Sequence, residues 1–91
     1  MNREECLKTA ENCVNGERDK QYGNPENNFQ RIAEFWNTYL NIDLIEPHDV
    51  ASMLALMKIA RISSGQAKED NWVDLAGYAA CGCEIQSGNH A

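Results

Sequence analysis

The feature that constrains this chain most is residues 50–62, a stretch that is apolar almost all the way round a helix. It reads VASMLALMKIARI, and its charged residues are Lys58 and Arg61. A helix that is apolar on every face is normally buried, and buried cations need partners. The next helical stretch supplies Asp70 and Asp74. We therefore predict that these four residues, called the quartet below, meet in an apolar interior and mark the functional site.

The charge balance narrows the classes of partner. The chain has 91 residues, a net charge of −6 and 14 acidic against 8 basic side chains. This balance disfavours nucleic acid and anionic membrane surfaces as main partners, but a nucleotide can arrive with Mg²⁺ held by carboxylates. There is no apolar N-terminal signal region and no window as long as the roughly 20 apolar residues of a membrane span. We expect a cytoplasmic protein.

The length predicts a single helical domain over residues 1–91 with a small core, so self-association would add stability. The four cysteines fit a reducing compartment, and we interpret them as small core residues rather than metal ligands. Cys81 and Cys83 flank Gly82 and would point in different directions on a helix, which makes them a poor zinc clip.

Capping signals predict the first two helices. The first helix is expected at about residues 3–14, with Asn2 as its N-cap and Glu5 completing a capping-box-like start. The second begins at Pro25 after a capping Asn24, and its apolar residues recur at three- and four-residue steps as far as Leu40. Residues 41–46 are expected to form a loop.

The last two helices are predicted to form a central antiparallel hairpin, at about residues 47–64 and 70–86. The third begins at Pro47, and the fourth begins around Asp70, which could cap it. Gly77 and Gly82 each cost about 1 kcal/mol relative to Ala inside a helix. We expect close approach by another helix to compensate. The predicted fold is all-α, with four helices.

Two arrangements on the predicted hairpin carry chemistry. Asp70 and Asp74 are four residues apart and Asn71 and Asp74 three apart, so their oxygens share a helix face and could bind Mg²⁺. Lys58 and Arg61 could bind phosphate. The alternatives are a cap at Asp70 and a structural network of ion pairs between the two cations and Asp74.

Other residues could complete a nucleotide site. Arg18, Tyr22 and Asn28 lie around the start of the second helix, where an aromatic ring and amides could stack on and read a base. The alternative is ordinary capping and core closure. Glu34 or Asp49 could orient an attacking water, or they could be a solvated charge and a dipole-end carboxylate. No serine has a histidine at a recognisable spacing, so no nucleophile–base pair is evident.

Taken together, several motifs resemble a known group. They are the run from Arg18 through Tyr22-Gly23 and Pro25 to Asn28-Phe29, IAxFW at 32–36, DVAxMxxxMKIAR at 49–61 and DNWVDLAGYA at 70–79. The chain resembles the phage- and prophage-borne MazG-like domains of unknown function, close to the nucleotide-modification-associated domains. The resemblance covers roughly residues 17–85.

The resemblance implies an all-α fold that assembles as a homodimer or homotetramer and hydrolyses nucleoside triphosphates to monophosphate and pyrophosphate with Mg²⁺. In the wider MazG-like class the metal ligands follow E-x-x-E…E-x-x-D on two helices. The second half corresponds here to Asn71-x-x-Asp74, with Asn in place of Glu. The first half has no match, and Lys58-x-x-Arg61 stands at the comparable part of the preceding helix.

Two functions follow as expectations. The first is a nucleotide-binding domain, with Mg²⁺-dependent pyrophosphohydrolysis as its reaction if it is an enzyme; Asp74, with Asp70 or Asn71, would hold the metal, and Lys58 and Arg61 would neutralise phosphate charge. The second is a noncatalytic homo-oligomeric adaptor, in which the quartet only fixes the register of the two hairpin helices.

Overall fold

The computed structural model describes residues 1–16, 25–65 and 68–88, with only the backbone given for 25 and 26. These residues form four helices: α1 (Arg3–Asn15), α2 (Pro25–Leu40), α3 (Pro47–Ser63) and α4 (Glu69–Ser87). No strand occurs in the described ranges, so the predicted all-α class is confirmed. None of these helices has the length and apolar character needed to cross a membrane.

Local hydrogen bonds explain where the helices begin. Asn2 Oδ1 accepts from the Glu5 amide at 2.8 Å, so Asn2 is the predicted N-cap of α1. Before α3, Asp49 Oδ2 accepts from the Glu46 amide at 2.9 Å, and Pro47 occupies the first turn. The prediction that Asp70 caps α4 is wrong: Lys68 is the N-cap residue, and Asp70 lies in the first turn.

One close approach and one side-chain contact define the antiparallel pairing of α3 with α4. A Cβ built on Gly82 would lie 3.2 Å from Ala51 Cβ, and further along the pair Lys58 contacts Asp74. The predicted central hairpin is therefore present. The other helical glycine, Gly77, lies against α1, because a Cβ built on it would be 3.2 Å from Val14 Cγ1. Both glycines thus permit the close approach that their sequence positions predicted.

The core lies where α2, α3 and α4 meet. Its buried members are Phe29, Ala33, Val50, Ala51 and Cys81, of which Val50 is the largest fully enclosed side chain. Small residues at three of the five positions bring the helices close together but bury little apolar area. The core is therefore compact and limited, as the chain length predicts.

The expectation that α3 is buried on every face is wrong. Val50, Ala51 and Lys58 are buried, but four large apolar residues of the same helix are exposed: Met53, Leu56, Met57 and Ile59. The inner side of α3 packs on α2 and α4, whereas its outer side faces solvent. The apolar sequence of α3 thus predicted the helix but not which of its faces is buried.

The cysteine expectation is wrong for two of the four residues. Cys81 is buried and Cys6 half-buried, whereas Cys13 and Cys83 are exposed, and none of the four forms a disulfide. Cys81 and Cys83 lie on the same helix at different exposures, because residues two apart point about 200° apart. The two thiols therefore do not form a chelating pair.

The side chain of Asn37 holds the connection between α2 and α3. Its Oδ1 accepts from the amides of Leu44 at 3.2 Å and Ile45 at 2.9 Å, and its Nδ2 donates to the Ile45 carbonyl at 2.9 Å. α2 ends at Leu40, and the next residue, Asn41, has a φ of 55°, in the left-handed region that asparagine tolerates. One amide side chain thus satisfies three backbone groups of the loop.

Replacing Asn37 by alanine is expected to lower the free energy of unfolding by about 2 kcal/mol, because it leaves part-buried loop groups without partners. Urea denaturation measures the change. Thr38→Ala is the matched control: Thr38 is exposed and donates to its own helix at the Glu34 carbonyl, so its expected cost is below about 0.5 kcal/mol. Equal losses in the two variants would contradict this role for Asn37.

Candidate functional site

The centre of the candidate site is a buried ion pair between α3 and α4. Lys58 Nζ lies 2.8 Å from Asp74 Oδ2, and the two side chains are 8% and 31% exposed. Lysine is almost never this buried unless it is paired, and the short distance identifies a charge-assisted hydrogen bond. The predicted contact between Lys58 and Asp74 is therefore present, and it crosses the hairpin where the end of α3 meets the beginning of α4.

A second polar residue is buried in the same turn of α4. Asn71 lies three residues before Asp74 and is buried. Its backbone N–H donates to the Lys68 carbonyl at 3.0 Å. Residues three apart share a helix face. The beginning of α4 therefore carries two polar side chains into its packed side, although most of the core is aliphatic or aromatic.

The other half of the quartet stays in solvent. Arg61 lies in the last turn of α3 and Asp70 in the first turn of α4, and both are exposed. Neither side chain makes an ion pair within residues 1–16, 25–65 and 68–88. The predicted enclosed pocket of four charges is therefore wrong. Because Lys58 and Asp74 neutralise each other, the net positive charge at this corner comes from Arg61, which has no acidic partner in the part of the chain that the structure describes.

The carboxylates predicted to orient a water lie away from the quartet. Asp49 is in the first turn of α3, nine residues before Lys58, which places it about 13 Å away along the helix axis. It caps the Glu46 amide and contacts His48 at 3.5 Å. Glu34 is exposed on α2 and accepts a hydrogen bond from Gln30 at 3.4 Å. The structure therefore assigns Asp49 to helix capping and gives Glu34 no link to the ion pair.

Three residues were predicted to contact a nucleotide from the start of α2. Arg18 and Tyr22 lie outside the described residues. Asn28 is half-buried in the first turns of α2, next to the core residue Phe29. Of these three residues, the structure thus describes Asn28, whose neighbour in the sequence belongs to the core.

The donor atoms at the corner do not fit a dedicated magnesium site. One oxygen of Asp74 is engaged by the Lys58 ammonium, and a cation at that position would repel a metal ion. Among the described residues, no three histidine, cysteine or acidic side chains are placed together to hold a metal. The geometry suits the binding of an anion by Arg61 better than the caging of a cation by Asp70, Asn71 and Asp74.

Sequence reasoning missed one polar residue with an extensive role. Asn37 stands in the helical run of α2, and no pattern there distinguishes it from a solvated amide. Its three hydrogen bonds depend on how residues 41–46 return towards α2. No local signal in the sequence could have identified it.

The fold and the corner define a small all-α domain with a buried lysine–aspartate pair at one end of a helical hairpin. The chain belongs to the family described as "Domain of unknown function (DUF6378)", whose family model matches residues 5–86. Two phage proteins are similar to it. The Gene 55 protein of Mycobacterium phage D29 is 42% identical over 78 residues, which cover 86% of this chain and 51% of that protein.

The Gene 55 protein of Mycobacterium phage L5 is 44% identical over 73 residues, which cover 80% of this chain and 47% of that protein. The chain thus spans about half the length of these curated relatives. They confirm the expectation of a phage-borne family. No solved structure matches the chain at a significant level.

Proposed function

We propose that the corner between α3 and α4 binds the phosphates of a nucleotide. The observation that carries the proposal is the exposed guanidinium of Arg61, which pairs with no carboxylate among residues 1–16, 25–65 and 68–88 and lies one turn beyond a buried lysine held by Asp74. Arginine presents a planar fork of donors that matches phosphate oxygens. An ion pair beneath it would fix the helix ends and so hold that fork in place.

The burial of Lys58 gives further support. Replacing a buried ion pair by apolar residues is often neutral or stabilising, so such a pair is weak evidence for stability. In a core this small, Lys58 and Asp74 are better explained by positioning or specificity than by their contribution to the fold. The resemblance to MazG-like domains, whose class acts on nucleoside triphosphates, supplies the chemical class of the ligand.

Hydrolysis is a separate, finer proposal. In it Mg²⁺ would arrive with the triphosphate, and Asp70 and the remaining oxygen of Asp74 would be its protein ligands. The donor set does not hold the ion alone, so binding and turnover are tested apart. Pyrophosphate release from canonical and modified triphosphates, measured with Mg²⁺ and with a chelator, tests turnover. If none of the panel is hydrolysed, the domain binds nucleotide without turnover.

Binding is tested by thermal unfolding in the presence of nucleotides, because a ligand that prefers the native state raises the melting temperature. We expect at least one nucleotide to raise it, and Arg61→Gln to weaken that nucleotide's affinity by about tenfold, the effect of losing roughly 1.4 kcal/mol of interaction. Arg31→Gln is the matched control, since Arg31 is an exposed arginine on α2. Its affinity should equal that of the unmodified protein.

Two outcomes would overturn the binding proposal. One is a melting temperature that no nucleotide changes. The other is an equal loss of affinity in Arg61→Gln and Arg31→Gln, which would indicate attraction by net charge rather than a site.

A noncatalytic homo-oligomeric adaptor is the second candidate function. It is favoured by the way Lys58 and Asp74 satisfy each other at 2.8 Å, an arrangement that could serve only to fix the register of α3 and α4. Nucleotide-independent melting together with self-association would favour the adaptor.

A further inference from the structure

We propose that a cavity between the beginnings of α1 and α4 binds a small molecule that carries one aromatic ring and one anionic group. The cavity, called the α1–α4 cavity below, has a volume of about 150 Å³ and opens to solvent; it is lined by Met1, Asn2, Arg3, Cys6, Glu69 and Trp72. None of these residues belongs to the quartet. The inference is therefore separate from the proposed binding of phosphate at Arg61.

Trp72 forms the aromatic wall of the α1–α4 cavity. It lies in the first turn of α4 and is 49% exposed, whereas Trp36 packs against the hydrophobic core. Tryptophan is highly buried on average, so half an indole open to solvent beside a cavity is an unfilled contact surface. Aromatic rings favour offset-stacked or edge-to-face contacts with other rings. The side chain of Trp72 therefore favours an aromatic ligand over an aliphatic one.

The size of the cavity limits the part of the ligand that enters it to one ring. An apolar cavity of about 150 Å³ in another protein holds benzene. Cys6 is half-buried and, together with the Met1 side chain, completes the apolar lining. Methionine adapts to irregular space and its sulfur makes favourable contacts with aromatic rings. A fused two-ring system would extend beyond this volume.

Arg3 makes the α1–α4 cavity locally positive. Glu69 is the acidic residue of the lining, and its Oε2 accepts from the Met1 ammonium at 2.5 Å, so these two charges neutralise each other. Arg3 is exposed and makes no ion pair with residues 1–16, 25–65 or 68–88. The guanidinium fork matches carboxylate and phosphate oxygens. In a chain of net charge −6, this cavity therefore favours an anion.

One ligand can make both contacts. Arg3 and Cys6 are three residues apart and share a face of α1, and both line the cavity together with Trp72 of α4. A ring held between Cys6 and Trp72 would therefore direct an attached anion towards Arg3. A pyrimidine nucleotide has these features, with one ring in its base and a phosphate, and so does an aromatic carboxylate. A purine base has two fused rings and fits less well.

Nuclear magnetic resonance of the ¹⁵N-labelled chain tests the proposal, with uridine monophosphate and benzoate as probes. The indole N–H resonance of Trp72, identified by its loss in Trp72→Leu, should shift saturably with one or both. Saturation by the nucleotide alone would identify a nucleotide as the source of the ligand, and saturation by benzoate alone a carboxylate. Uridine, which lacks the anion, and adenosine monophosphate, which has two fused rings, should bind at least about tenfold more weakly than the probe that saturates.

The backbone N–H resonance of Cys6 reports the affinities of the variants. Arg3→Gln and Trp72→Leu should each raise the dissociation constant by about tenfold or more, because each removes one of the two contacts. Lys8→Gln and Phe35→Leu are the matched controls: Lys8 is an exposed cation on α1, and Phe35 is an exposed ring on α2. Both should bind the probe as the unmodified chain does.

Far-UV circular dichroism checks that every variant stays helical, which we expect because Arg3 and Trp72 are exposed. If Trp72→Leu unfolds, Arg3→Gln alone decides. No saturable shift with either probe at millimolar concentration overturns the inference. Equal losses of affinity in Arg3→Gln and Lys8→Gln overturn it too, since they would indicate attraction by net charge. A nucleotide that raises the melting temperature while neither probe moves the Trp72 resonance would sink this inference and leave the proposal for Arg61 standing.

Discussion

Asp74→Asn is expected to lower the free energy of unfolding by about 3 kcal/mol, because it leaves the Lys58 ammonium buried beside a neutral amide. The carboxylate lies 2.8 Å from that ammonium and is 31% exposed, so the loss falls at the lower end of what breaking a buried pair costs. Urea denaturation, with the midpoint and the slope fitted separately, measures the change.

Asp70→Asn is the matched control for this prediction. Asp70 is in the same helix four residues earlier, but it is exposed and makes no ion pair within the described parts of the chain. Losing the favourable interaction between its negative charge and the N-terminus of α4 should lower the free energy of unfolding by about 0.5 kcal/mol. If the two variants are equally stable, the buried pair does not contribute as the geometry indicates.

The double variant Lys58→Met, Asp74→Asn separates the pair from the cost of an orphaned charge. With the ammonium replaced by an apolar side chain, most of the stability lost in Asp74→Asn should return. Recovery with unchanged nucleotide affinity would assign the pair to structure alone. Recovery of stability with loss of affinity would assign it to the site.

Phe29→Ala is expected to cost about 3 kcal/mol or more, since it removes an aromatic ring from the centre of a small core and leaves a cavity. Phe29 is 6% exposed and packs with Val50 and Cys81. Phe35 lies on the same helix but is 69% exposed, so Phe35→Ala should stay within about 0.5 kcal/mol.

Thermal and urea unfolding of the two phenylalanine variants at equal protein concentration give the comparison. The reverse order of stability, or no difference between them, would mean that the core is not centred on α2, α3 and α4. Equal concentrations matter because a self-associating chain has a concentration-dependent midpoint.

The helix starts could be predicted from the sequence because their signals are local. Pro25, Pro47 and the Asn2–Glu5 spacing each act within one turn, and each agrees with the structure. The start of α4 was misplaced by a residue for a physical reason. Acidic side chains suit both the N-cap and the first turn, so Asp70 alone could not distinguish the two positions.

The site was predictable only where helix pairing fixes geometry. A short connection makes α3 and α4 antiparallel neighbours, which brought Lys58 to Asp74 as predicted. Arg61 and Asp70 lie at the extreme turns, where the ends of the helices meet solvent, so the expectation of burial failed. Hydrophobicity likewise could not reveal that Leu56 is exposed, because an apolar sequence does not specify which helix faces the neighbouring helices cover.

The contact between Ala51 and Gly82 and the ion pair between Lys58 and Asp74 lie about two turns apart along the same helical pair. A shift of one helix past the other by a single turn, about 5.4 Å, would break both at once. These two points therefore fix the register of α3 against α4. A displacement of the Arg61 end of α3 that preserves both contacts would have to move α4 with it.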